Sequence, residues 1–114
     1  LYQENLKNMT NRLQYLQQLL ESSPKDAFVL FAVAKEYEGA GDDSKALAFY
    51  LRLLEADAQY VGTYYHLGKL YERAEDTEKA IYTYKQGIEV SRQANDRHAM
   101  SELQGALLNL EDPE

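Results

Sequence analysis

Apolar residues recur three and four positions apart along most of this chain, and the recurrence breaks at short polar or glycine-bearing stretches. Leu30, Val33, Ala34 and Tyr37 fall on one helical face, and Ala46, Leu47, Tyr50, Leu53 and Leu54 fall on another after the break Gly39-Ala40-Gly41-Asp42-Asp43-Ser44. Glycine there permits a left-handed helix end, and Asp or Ser offers an oxygen that caps the next helix. The same order of face, break and face returns around Ala74-Glu75-Asp76-Thr77. Tight breaks of this kind turn consecutive helices back on one another, so the pattern predicts an all-α chain of antiparallel helix pairs.

The pattern repeats at a fixed stride. Moving the sequence by 34 places lays Ala27–Tyr60 on Val61–Ala94, with ten identical pairs, among them Lys35 with Lys69, Tyr37 with Tyr71, Glu38 with Glu72, Asp42 with Asp76, Ala46 with Ala80 and Tyr50 with Tyr84. Each unit contains two amphipathic helices. Small residues stand where two helices must approach closely, Ala34 or Gly68 on the first helix and Ala46 or Ala80 on the second. A larger side chain at these places is expected to overpack, at a cost of about 1–3 kcal/mol.

Both ends read as caps on this repeat. A further step back of 34 sets Leu13, Leu16, Leu19 and Leu20 beside Leu47, Tyr50, Leu53 and Leu54, with a helix expected over 10–23 and started by Asn11 with Gln14 three places on. Asn95-Asp96 opens a last helix over 95–111, with Met100, Leu103, Ala106, Leu107 and Leu110 on one face and polar residues on the other. A polar outer face suits the end of a stack. Residues 111–114 are expected to fray.

A 34-residue helix-turn-helix unit with Tyr64, Leu67, Gly68, Tyr71, Ala80 and Tyr84 at these offsets resembles the tetratricopeptide repeat, as do Leu30, Val33, Ala34, Tyr37, Gly41, Ala46 and Tyr50 in the preceding unit. The likeness covers about two thirds of the chain. It departs from the family at Ala34, where glycine is usual, and at Ala58 and Arg92, where the closing proline is missing. The run Tyr60–Arg73 also resembles small stand-alone bacterial proteins of the family. The resemblance implies a right-handed α-solenoid of about six helices in a single domain over 1–114: a capping helix at 10–23, repeats at 27–60 and 61–94, and a capping helix at 95–111.

Composition narrows the function. A chain of 114 residues is the size of one ordinary domain, and 45% hydrophobic content suits an ordered core. The absence of Cys closes thiol catalysis and Cys-based zinc sites. A net charge of −7 argues against a nucleic-acid partner, which calls for a basic surface. The longest apolar run, Ala27–Ala34, has eight residues against the roughly 20 that a membrane span needs, so the expectation is a soluble, cytoplasmic protein with no membrane partner. Met9 reads as a natural start, which would set Leu1–Asn8 apart as added residues.

The chemistry-bearing residues are sparse. His66 and His98 are the two histidines, and they lack the paired spacing that marks a zinc site. No phosphate loop, nucleophile elbow or His-Glu-x-x-His string occurs, and the expectation is a protein without catalytic residues, metal or cofactor. Tyr37, Tyr50, Tyr64, Tyr71 and Tyr84 take core places of the repeat. In the family, the inner face of the superhelix is lined by the first helix of each unit. That register assigns Phe28, Phe31, Lys35, Glu38, Tyr65, Lys69, Glu72 and Arg73 to a concave, partner-binding stripe. The lysine and asparagine clamp by which some family members hold a terminal carboxylate is not reproduced, since Phe31, Lys35, Tyr65 and Lys69 stand at those places. The implied function is a scaffold that holds a protein or peptide segment in the groove. The alternative is a structural homodimer, for which Tyr2, Leu6, Met9, Leu13, Leu16 and Leu20 offer a seam spaced by four and three.

Overall fold

The computed structural model describes residues 10–111, and six helices account for nearly all of them. They are α1 (Asn11–Ser22), α2 (Ala27–Gly39), α3 (Asp43–Ala56), α4 (Gly62–Arg73), α5 (Thr77–Gln93) and α6 (Arg97–Glu111), with no strand among the described residues. Contacts divide the chain after Asp57 into two compact units, each a helix pair with one further helix. In the first, α2 pairs with α3 and α1 lies against α2; in the second, α5 packs on both α4 and α6, and α4 touches α6.

Helix starts are fixed by side-chain oxygens. Thr10, Asp26, Asp42 and Asp76 accept the backbone N–H three residues on, at 2.9, 3.1, 3.1 and 3.2 Å, and Asp96 does the same for Ala99 at 3.0 Å. Each such cap contributes about 1 kcal/mol. The α1 cap is therefore Thr10 and not Asn11, because the extended backbone of Thr10 brings its hydroxyl over the Leu13 N–H. The N-terminal residue before α4, Val61, has no side chain for this task. The Tyr64 hydroxyl instead donates to the Ala58 carbonyl at 2.5 Å and ties the preceding loop to the helix.

Helix ends use one device three times. After α2, Gly41 takes a left-handed backbone (φ 80°), which lets the Asp42 N–H reach back to Tyr37 O at 2.9 Å and the Gly41 N–H to Glu38 O at 3.0 Å. Glu75 (φ 61°) and Asn95 (φ 58°) do the same after α4 and α5, where Asp76 and Asp96 donate to Tyr71 O and Ser91 O. A single residue at each turn thus both closes one helix and places the Asp that opens the next.

The buried interior of the first unit takes Leu13, Leu16 and Leu20 from α1, Leu30, Val33 and Ala34 from α2, and Ala46, Tyr50 and Leu53 from α3. Burial of Leu13, Leu16 and Leu20 uses up half of the seam considered for dimerisation; Tyr2, Leu6 and Met9 lie outside the described residues, as do Asp112–Glu114. In the second unit α4 and α5 interlock. A Cβ on Gly68 would lie 2.1 Å from the Tyr84 ring, and one on Gly87 would lie 2.4 Å from the Tyr64 Cβ. Each helix leaves a glycine gap that the tyrosine of the other fills. Of the tyrosines expected in the core, Tyr50, Tyr64 and Tyr84 are buried, whereas Tyr37 and Tyr71 are only half-buried. Those two lie toward the helix ends, where Lys45 and Lys79 stand over their rings at 5.5 and 5.8 Å, and the Tyr37 ring also stacks on Phe49 at 5.6 Å.

Candidate functional site

Six of the eight residues assigned to the stripe form the same short constellation on α2 and on α4. On α2, Lys35 holds its ammonium 5.8 Å from the centre of the Phe31 ring, and Glu38 accepts a 2.7 Å hydrogen bond from the Tyr50 hydroxyl on α3. On α4, Lys69 stands 5.5 Å from the centre of the Tyr65 ring, and Glu72 accepts the Tyr84 hydroxyl on α5 while its Oε2 lies 3.6 Å from Lys69 Nζ. One turn of helix separates each member from the next, so aromatic ring, ammonium and carboxylate follow in line. Phe31 and Tyr65 are half-buried; Phe28 is 64% exposed, and Arg73, the last residue of α4, is exposed.

The tyrosine under each carboxylate matters for what the stripe can offer. Tyr84 is fully buried, and that burial, followed by its bond to the Glu72 carboxylate, pushes its ionisation well above the usual tyrosine value. The hydroxyl thus stays a donor, and Glu72 stays anchored to the core. Glu38 and Glu72, assigned from sequence to the binding face, also act as fasteners between the two helices of a pair. Lys35 and Lys69 are each braced on an aromatic ring, and Lys69 in addition pairs with Glu72.

In the second unit the stripe borders a cleft. A space of about 340 Å³ is lined by Tyr65 and Lys69 of α4 and by Ser101, Glu102, Gly105, Ala106, Leu108 and Asn109 of α6. It adjoins a smaller space of about 240 Å³ lined by Gly62, Tyr65 and His66 of α4 and by Ala99 and Glu102 of α6. The α6 residues were missed from sequence because the step from α4 to α6 is not 34. A step of 36 lays Leu67 on Leu103 and Leu70 on Ala106, all four buried, and then lays Tyr65 on Ser101 and Lys69 on Gly105. The offset arises where the second pair departs from the first: α5 has 17 residues where α3 has 14, and the connection after it spans 94–96 where that after α3 spans 57–61.

Outside the stripe the first unit has a larger cleft, about 510 Å³, lined by Pro24, Lys25, Leu30, Arg52, Glu55 and Ala56. Arg52 there donates to the Pro24 carbonyl at 3.3 Å and lies 4.9 Å from the Phe49 ring centre, so its guanidinium already has structural partners. None of the eight stripe residues lines it. His98 is exposed with its Nε2 3.7 Å from Glu102, and the His66 ring stands edge-on to Tyr65 at 5.9 Å. Among the described residues no three His, Cys, Asp or Glu side chains gather as a metal site, and no helix is long and apolar enough to cross a membrane.

Antiparallel helix pairs joined by capped, left-handed turns, with glycine–tyrosine interlocks inside a pair, define an all-α helical-repeat protein. The family model for the tetratricopeptide repeat matches residues 61–93. A tetratricopeptide repeat domain protein from Salinibacter ruber is 50% identical, its crystal structure aligning over 78% of this chain and 99% of that one with a TM-score of 0.74. Its solution structure gives 0.75 over 81% and 93% at the same 50% identity. The chain belongs to the tetratricopeptide repeat family. Two more distant structures share the fold. The TPR2B domain of yeast Sti1, solved as a complex with pHsp70, is 14% identical with a TM-score of 0.81 over 90% of this chain and 82% of that one. PcrH, solved with the chaperone-binding region of PopD, is 14% identical with a TM-score of 0.82 over 96% and 81%. No curated protein matches the chain.

Proposed function

We propose that this protein is a non-catalytic scaffold that holds a segment of another protein, with the stripe of α4 and the cleft between α4 and α6 as the principal seat. The observation that carries this reading is the repeated ring–ammonium–carboxylate constellation. In the second unit it opens onto a cleft whose far wall supplies the hydroxyl of Ser101 and the amide of Asn109. A braced aromatic ring offers apolar contact at low entropic cost, and hydroxyl and amide groups can bond a peptide main chain. The Sti1 domain, solved with pHsp70, and PcrH, solved with the chaperone-binding region of PopD, support this reading. An acidic chain that works in this way has protein partners in the cytoplasm and calls for no nucleic acid, membrane or cofactor.

Crosslinking capture from native lysate, compared between the parent and Tyr65→Ala/Lys69→Glu, tests the assignment. The variant is expected to lose the parent's main captured proteins, and identical sets would remove the stripe from consideration. Exposed Leu51, Tyr82 and Leu108 favour a second reading, a homo-oligomer joined through apolar helix surfaces. Light scattering over a dilution series decides it, since a monomer at every concentration leaves that reading without support.

A further inference from the structure

Helix α1 carries apolar side chains on more than the face it turns to α2. Leu13, Leu16 and Leu20 are buried, whereas Tyr15 is 60% exposed and Leu19 36%. The flank of α1 nearer α3 is polar: the Gln17 amide donates to the Tyr37 hydroxyl at 3.2 Å, and the Tyr37 ring stacks on Phe49 of α3. Tyr15 and Leu19 each stand two residues from Gln17, about 200° round the helix, so both lie on the opposite flank. Phe28, 64% exposed, is nine residues or about two and a half turns from Tyr37 and therefore faces away from α3 as well. The antiparallel turn brings the start of α2 beside the end of α1, so Phe28 and Leu19 are neighbours on that side.

The second unit shows what the repeat places there. A step of 68 lays Tyr15 on Thr83 and Leu19 on Gly87, both buried. A Cβ on Gly87 would lie 2.4 Å from Tyr64 of α4 and 3.0 Å from Leu103 of α6, so α4 fills the angle between α5 and α6. Among the described residues the angle between α1 and α2 has no such helix, and α1 presents Tyr and Leu where α5 has Thr and Gly. The outer side of a terminal helix is expected to be polar, and this one is apolar over three residues.

Charge and area select the occupant. The chain carries a net charge of −7, yet the flank formed by Asn11, Arg12, Tyr15, Gln18, Leu19 and Ser22 holds no carboxylate, so two copies can meet there without like-charge repulsion. Of the roughly 200 Å² that an aromatic side chain can bury, Tyr15 and Phe28 each leave about 120 Å² open. With Leu19, two copies offer about 600 Å² of apolar surface, which at the usual apolar share corresponds to an interface of about 1,000 Å², the lower limit of a specific one. We infer that the exposed flank of α1 is a self-association surface. The α1 helices of two copies pack antiparallel about a twofold axis near residue 17, with Tyr15 of each against Leu19 of the other and Phe28 at both ends of the seam. In this pairing Arg12, drawn onto Glu36 at 3.2 Å, stands opposite Ser22 and not opposite itself. The seam uses the side of α1 away from Leu13 and Leu20, is separate from Leu51, Tyr82 and Leu108, and does not depend on the scaffold reading.

Sedimentation equilibrium of the intact chain over a dilution series tests it. The parent is expected to pass from monomer to dimer with a Kd of about 10–100 µM, as suits an interface at the lower size limit. Tyr15→Glu and Leu19→Lys, both at exposed places, are each expected to weaken the dimer at least about tenfold, with the melting temperature of the dilute chain unchanged. Mixed in equal amounts they are expected to recover most of the parent's association, because antiparallel pairing sets the carboxylate introduced in one against the ammonium introduced in the other. Tyr82→Glu is the control and leaves the dimer as it is. Should a charged variant melt early, Tyr15→Ser replaces it in the dilution series. A parent that stays monomeric up to about 1 mM overturns the proposal and gives the flank to a helix of another protein. A dimer that survives both substitutions overturns it by placing the contact elsewhere, and single variants that dissociate without recovery in the mixture overturn the antiparallel pairing. Capture of partners through Tyr65 and Lys69 is read separately, so the scaffold reading stands or falls on its own test.

Discussion

In the first helix pair Leu30 and Leu53 occupy the places that Tyr64 and Gly87 hold in the second, and Ala34 occupies that of Gly68. Both solutions are buried: Leu30 and Leu53 are at most 1% exposed, as are Ala34 and Tyr50, while Tyr64 is 5% exposed. Two medium side chains and a methyl fill one interior, and a large ring against a bare glycine fills the other. The Tyr50 ring leans against Phe31 at 6.2 Å and 59°, while the Tyr84 ring lies where a Gly68 Cβ would be. The same stride of sequence therefore yields two interiors with different tolerances. In the interlocked pair neither glycine has room for even a Cβ, whereas the first pair already holds a methyl at Ala34.

The strongest way to break this comparison is to exchange the small residues. Gly68→Ala places a carbon about 2 Å from a buried ring held by Glu72, and the expected loss is about 3 kcal/mol, at the upper end for an overpacked core. Ala34→Gly, its mirror in the first pair, removes one methyl and some helix propensity, and about 1.5 kcal/mol is expected. Urea unfolding of both variants measures the difference. Equal losses would mean that the two interiors are equivalent after all.

The tyrosine–glutamate fasteners come next. Tyr84→Phe deletes the hydroxyl that Glu72 accepts and is expected to cost about 1.5 kcal/mol at neutral pH, as for a hydrogen bond to a partly exposed charged group. The parent has a second signature. Because the folded state holds Tyr84 protonated above its usual value, its contribution is complete below about pH 10 and is lost as pH rises from there. Unfolding free energies measured between pH 8 and pH 11 should fall at the alkaline end in the parent and fall less in Tyr84→Phe.

Thr63 sharpens the contrast from the other side. It is fully buried and its hydroxyl has no hydrogen-bond partner, whereas its counterpart in the first pair is Val29, also buried. Thr63→Val keeps the shape and removes the unsatisfied group, so a gain of about 1 kcal/mol is expected in the same urea experiment. A loss would show that the hydroxyl finds a partner in solution.

Much of this architecture is legible in the residues themselves. The stride of 34, the small residues at the close approaches and the Asp at each turn place α2 to α5, because these features are local and the fold uses them twice. The stripe came from the family register, and the helical spacing of Tyr65, Lys69 and Glu72 puts those three in line on α4. Three things were not legible. The Gly87–Tyr64 interlock has no counterpart in the first pair, so the repeat conceals it. The α6 wall of the cleft is displaced because α5 is longer than α3 and the connection after it shorter, so a fixed stride puts polar Ser101 and Glu102 where Leu67 and Gly68 point. The bond from Tyr50 to Glu38 joins residues 12 apart on different helices, a contact that neither helix's periodicity contains.

The smallest effect concerns the turns, where the pairs differ by one residue. Gly41 adopts its left-handed backbone without strain, and Glu75 adopts nearly the same φ with a side chain that crowds its own carbonyl. That conformation costs a non-glycine residue about 1 kcal/mol, against which glycine adds a comparable entropy to the unfolded chain. Glu75→Gly is therefore expected to stabilise by only about 0.5 kcal/mol, and Gly41→Glu to destabilise by a similar or slightly larger amount. Both turns keep the Asp cap and the hydrogen bond back to Tyr37 or Tyr71, so the pair isolates backbone strain from capping. If Glu75→Gly destabilises instead, the glutamate side chain contributes a contact that outweighs its strain, and the second turn is held by more than its backbone.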